Sequence, residues 1–196
     1  MRIHKSRLAS MVAMAAAALF TAGTAHAQTA SATLNVSATV TSSLQMVIDT
    51  ATGGPTLTNS GTTNATLPFG NISAYGSYTG TGVTLVASSD TSHGTCTGTN
   101  PCFVVSAPVQ VVVNEFNSSS SKFTLSAQLG TADNTNFWAV GTESSAINST
   151  SPTNVVTAGG KYGSTGNVET VYLGVPTATA SSTIISNSID FVVTAN

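Results

Sequence analysis

Residues 29–41, TASATLNVSATVT, alternate polar and apolar side chains without a slip. Ala30, Ala32, Leu34, Val36, Ala38 and Val40 interleave with Thr29, Ser31, Thr33, Asn35, Ser37 and Thr39. A period of two over that length is the period of a β-strand with one buried face and one solvated face. The same period recurs downstream. TGVTLVAS (81–88) sets Val83 and Leu85 on one side, SKFTLSAQL (121–129) aligns Phe123, Leu125, Ala127 and Leu129, and NSIDFVVTAN (187–196) aligns Ile189, Phe191 and Val193.

Shorter apolar runs fill the intervals: LQMVID (44–49), ATLPFG (65–70), FWAVG (137–141), NVVTAG (154–159) and ETVYLGV (169–175). Clusters of Gly, Asn, Ser and Pro separate them, and no stretch shows a convincing helical period. Many short strands between regular turn signals predict an all-β protein, a sandwich of about eight to ten strands. Pro108 lacks an N–H, so CFVVS and VQVVVNEF are expected as two segments broken by a bend. The polar run NSSSSK (117–122) is expected as a hairpin loop.

Residues 1–27 have the pattern of a signal peptide. Arg2, Lys5 and Arg7 precede an alanine-rich apolar run, and Ala25-His26-Ala27 supplies a small-x-small cleavage site. The mature chain, residues 28–196, is expected to begin at Gln28 and to form one domain. The apolar run is shorter than the roughly 20 residues of a membrane span, and no later stretch qualifies. An exported protein without membrane insertion is expected.

Past residue 27 the bases are Lys122 and Lys161, against seven carboxylates, for a formal charge of −5. A chain so poor in cations does not neutralise phosphate, which excludes nucleic acid and anionic lipid as partners. Cys96 and Cys102, spaced C-x5-C around turn-forming Gly98, Asn100 and Pro101, are expected to form a disulfide in an oxidising compartment. Closing so short a ring contributes about 2–3 kcal/mol in the chain-entropy account.

Catalytic chemistry finds little footing. His93 is the one histidine past the leader, and no G-x-S-x-G elbow accompanies it. The carboxylates Asp49, Asp90, Glu115, Asp133, Glu143, Glu169 and Asp190 are dispersed rather than paired. Neither enzyme activity nor a cofactor is expected, and two thiols beside one histidine do not make a closed metal shell. In TADNTNFWAV (131–140), Asp133, Asn134 and Asn136 offer oxygens to calcium, but they match no calcium-loop pattern. An Asx-rich turn feeding a core strand accounts for them equally. Trp138, next to Phe137, is a candidate sugar-stacking residue, with Tyr75 and Tyr78 as further possible contacts. The alternative function they define is a secreted carbohydrate-binding module.

Several elements together resemble the pilin-like secreted β-sandwich proteins of Gram-negative bacteria, including spore-coat-U-like domains and archaic chaperone–usher fimbrial subunits. The leader ending AHAQ, the alternating strand that follows it, TLPFGNIS (66–73) and the closing VPTATASSTIISNSIDFVVTAN (175–196) carry the likeness. The first strand has no cysteine and the chain ends in VVTAN, which sets it apart from classical members. The resemblance implies an incomplete immunoglobulin-like fold on a cell-surface structural or adhesive subunit. Its implied partners are copies of itself or other pilin-like subunits, with a periplasmic chaperone and usher. It also implies that a groove in one subunit takes the N-terminal strand of the next. Ala32, Leu34, Val36, Ala38 and Val40 would then fill that groove. The alternation suits equally a first strand kept in the chain's own sandwich, or a strand shared between the two.

Overall fold

The computed structural model of the chain describes Asn35 and residues 37–39, 43–75, 80–116, 120–163 and 165–196. Eight strands follow in order: β1 (Ser43–Thr50), β2 (Thr84–Asp90), β3 (Cys102–Phe116), β4 (Phe123–Leu129), β5 (Phe137–Val140), β6 (Thr153–Gly160), β7 (Asn167–Pro176) and β8 (Ile189–Ala195). No helix occurs among the described residues. The strands form two antiparallel sheets, one of five strands in the order β1-β3-β7-β5 with β2 also on β3, and one of three in the order β6-β4-β8. The protein is an all-β sandwich.

Side-chain alternation decides which face goes inward. In β4, Phe123, Leu125, Ala127 and Leu129 are fully buried while the residues between them are partly exposed. Burying each large side chain contributes about 1.5–3 kcal/mol. Val105, Ala107 and Val109 of β3 and Val171, Leu173 and Val175 of β7 share a core with Ala127 and Leu129 of β4, and Ile189 and Phe191 of β8 pack against it. Val111, Val113, Phe123 and Leu125 extend it toward the far end, with Met46 and Val193 against them.

The five-stranded sheet is covered on its outer face as well. Cys96, Cys102, Val104, Phe137 and Ala139 form a second cluster there, with Ala87 and Tyr172 against it. Both faces of β5 are therefore buried, and all four of its residues are core. Gly174 permits the cover: a Cβ there would lie 3.0 Å from Phe137 Cβ and 3.3 Å from Cys96 Sγ.

Two expectations about the connections need correction. Pro108 does not break the strand, because β3 runs unbroken from Cys102 to Phe116 and Pro108 pairs in register with Thr170 of β7. On its other edge β3 changes partner, from β2 at Ser106 to β1 at Val109. Pro108 stands in that gap, where no ladder bond calls for its missing N–H. Its carbonyl faces Gly54, at which a Cβ would come within 2.5 Å of the oxygen. The second correction concerns the strands on either side of residues 117–122: β3 and β4 belong to different sheets and do not pair as a hairpin, and residues 117–119 themselves lie outside the described residues.

Candidate functional site

A cleft of about 950 Å³ enters the sandwich beside β8. Its floor is the inward face of the five-stranded sheet, with Val109, Trp138, Val171 and Leu173. One wall is β8 and the segment before it, contributing Ile185, Ile189 and Phe191; the other is the β1–β2 connection, contributing Leu57, Leu67, Phe69 and Ile72. β8 pairs only with β4, so its other edge carries no described strand.

The β1–β2 connection and the segment before β8 alternate in burial without belonging to a strand. Ala65, Leu67 and Phe69 are half-buried between exposed Asn64, Thr66, Pro68 and Gly70, as are Ile185 and Asn187 between exposed Ile184, Ser186 and Ser188. The wall from the β1–β2 connection is held through a bridge between Thr58 and Thr66. Ile184, in the segment before β8, is 91% exposed. Such an arrangement offers an apolar floor and a strand edge, the two features that receive an added strand.

The proposed strand residues Ala32, Leu34, Val36 and Val40 lie outside the described residues, as does Tyr78, whereas Ala38 is exposed and outside any strand. Tyr75 is almost fully exposed, and Trp138 is 5% exposed. Phe137, beside it in sequence, is fully buried on the opposite face of the sheet. The two rings thus form no joint surface platform for a sugar. Alternation along β5 is the reason, since neighbours in a strand point to opposite sides.

The TADNTNFWAV segment resolves as a braced turn. Asp133 Oδ1 accepts the backbone N–H groups of Thr135 and Asn136, both at 2.9 Å. Asp133 Oδ2 accepts from Asn136 Nδ2 at 2.9 Å and from Trp138 Nε1 at 2.8 Å. Asn148 closes the turn from across, donating to the carbonyls of Asp133 and Asn136 and accepting the N–H of Trp138. Burial pushes the Asp133 carboxyl up, but these donors outweigh it and hold the group below its ordinary range. Asp133 serves as a structural acceptor whose oxygens are already engaged.

At the outer face Cys96 and Cys102 are bonded, with Cα atoms 5.3 Å apart. Three residues before that ring stands His93, whose Nδ1 lies 3.1 and 3.0 Å from the two Asp90 oxygens and 3.8 Å from Glu143 Oε1. Burial raises the Asp90 carboxyl, and the Ser92 N–H, the His93 ring and the Ser92 hydroxyl outweigh it, so the group sits below its ordinary value. Glu143 is fifty residues away in sequence and shares no motif with His93. Only the fold brings it there, on the turn after β5 closed by the Ser145 N–H to the Thr142 carbonyl.

No protein-family model, no curated protein and no solved structure matches this chain.

Proposed function

We propose that this protein is an exported structural or adhesive subunit of a cell-surface assembly, pilin-like in its use of an incomplete immunoglobulin-like sandwich. Its N-terminal strand, residues 28–40, docks in the cleft of the next copy. The observation that carries the reading is the cleft itself: an apolar floor, the free edge of β8 and an alternating segment opposite, all on a protein whose sequence also contains a matching alternating strand. In the docked arrangement Leu34 and Val36 would occupy the centre of the floor, and main-chain bonds to β8 would set the register. Five such side chains bury roughly 250–300 Å² of apolar area, a gross gain of about 6–8 kcal/mol at about 25 cal/mol per Å². The signal-peptide pattern and the disulfide suit passage through an oxidising compartment.

The test uses the mature chain and the double variant Leu34→Asp/Val36→Asp, followed by light scattering across a concentration series. Strand addition between copies predicts concentration-dependent oligomers for the parent. The variant should remain monomeric, with the parent's circular dichroism. A parent monomeric at all concentrations, with a variant that loses stability instead, places the strand in its own sandwich and overturns assembly by exchange.

A further inference from the structure

The outer-face corner holds a second constellation, remote in sequence and in role from the cleft. Asp90 ends β2, His93 sits in the turn that follows, and Glu143 comes from the connection after β5. One ligand-type atom from each lies within 4.8 Å of the other two. We propose that Asp90, His93 and Glu143 bind a first-row divalent cation, zinc in the first instance, through His93 Nδ1 and one oxygen of each carboxylate.

Four observations converge on it. The first is charge: two carboxylates meet around one imidazole, and the ion pairs they make among the described residues are both with His93. With a neutral ring the corner carries a formal charge of −2, which a divalent ion cancels. The second is an unmet acceptor. Glu143 Oε1 is enclosed and accepts no hydrogen bond, a state that costs about 1–3 kcal/mol for a buried polar atom. A cation supplies the missing partner.

The third is spacing. Bonds of about 2.0–2.1 Å to nitrogen and oxygen in a tetrahedral shell put neighbouring ligand atoms about 3.3 Å apart. The separations of 3.0 Å from Nδ1 to Asp90 and 3.8 Å from Nδ1 to Glu143 bracket that value. The third pair, Asp90 to Glu143, lies within 4.8 Å, and movement of the Glu143 side chain toward the ring closes the set. The fourth is support behind the ligands. The N–H and hydroxyl of Ser92 both reach Asp90 Oδ1, and the His93 ring packs against Phe137 with centroids 5.6 Å apart. Asp90 pairs in register with Cys102, and the Cys96 N–H bonds the His93 carbonyl, so the disulfide closes the same corner. Second-contact partners of this kind fix ligand orientation in metal sites.

Mixed imidazole and carboxylate donors suit zinc and its neighbours better than calcium or magnesium, which prefer oxygen alone. Three protein ligands leave a fourth position for water or for a donor from another molecule. The imidazole binds through its Nδ1 lone pair, so the single proton of the neutral ring stands on Nε2 and the Nδ1 contact with Asp90 gives way to the metal bond.

The experiment titrates zinc chloride into the untagged chain as exported, by calorimetry, beside His93→Asn and Glu143→Gln. The expected result is saturable one-to-one uptake, weakened at least tenfold in each variant while circular dichroism stays unchanged. Absence of saturable uptake, or uptake that survives both substitutions, overturns the site. Should a variant unfold, cobalt(II) added to the parent decides instead. A saturating visible band of tetrahedral intensity at one equivalent supports the site, and the absence of such a band overturns it.

Discussion

The Asp133 turn and the Asp90–His93–Glu143 corner both set carboxylates beside β5, the first within one short polar loop and the second from two segments fifty residues apart. They differ in saturation. Asp133 receives four donors from its own chain, two on each oxygen, whereas Glu143 presents an enclosed oxygen with none. A carboxylate whose lone pairs are satisfied internally is a structural strut. One that is desolvated without donors is costly until something binds it. Glu169 marks a third condition: it lies on the inward register of β7 with Val171 and Leu173, beside Gly141, and burial pushes its carboxyl up to about 7.

The largest expected effect follows from Glu169. Its folded pKa lies above the ordinary 4.5, so the native state holds its proton more tightly than the unfolded chain does. Stability from this group is fully present below pH 4.5 and is lost as pH rises through about 7. Urea unfolding at pH 4.5 and at pH 8 should differ by about 3 kcal/mol from this residue, at 1.36 kcal/mol per pH unit. Glu169→Gln should remove that part of the slope. An unchanged slope would show that Glu169 finds a compensating partner in solution.

Next in size is Asp133→Asn, which turns one acceptor oxygen into a donor facing donors and should cost about 2 kcal/mol in the same assay. The matching swap, Glu143→Gln, breaks no hydrogen bond at Oε1 and faces only the His93 ring at 3.8 Å. It should alter the stability of the metal-free protein by less than about 0.5 kcal/mol. Equal losses from the two amide substitutions would abolish the contrast between strut and open ligand.

Much of the sandwich was legible because period-two alternation is a local signal. The inward sets Phe123–Leu125–Ala127–Leu129 and Ile189–Phe191–Val193 follow from their own segments. The disulfide was legible from spacing and turn residues. Pro108 was misread because its tolerance depends on β3 exchanging one partner for another at that residue, a fact of the two distant strands β1 and β2. The link after β3 was misread because a polar run between two strands looks the same whether it stays within a sheet or crosses between sheets. Trp138 invited a surface role that the pleat of β5 denies it. The cleft and the His93–Glu143 approach were illegible for one reason: each is assembled from segments whose adjacency only the sheet order creates.

That sheet order also bears on how quickly the molecule can form. The partners Ser43 and Phe116, Cys102 and Pro176, and Phe123 and Ala195 each stand more than 70 residues apart in the chain. These three of the six described ladders cannot close until long stretches of the polypeptide are present, and topologies of this kind fold in milliseconds to seconds rather than microseconds. During that interval β3 lacks β1 and β7, and β4 lacks β8, so each of these central strands keeps an edge open to other chains. The long span of these pairings makes the newly made polypeptide a ready client for any factor that shields strand edges.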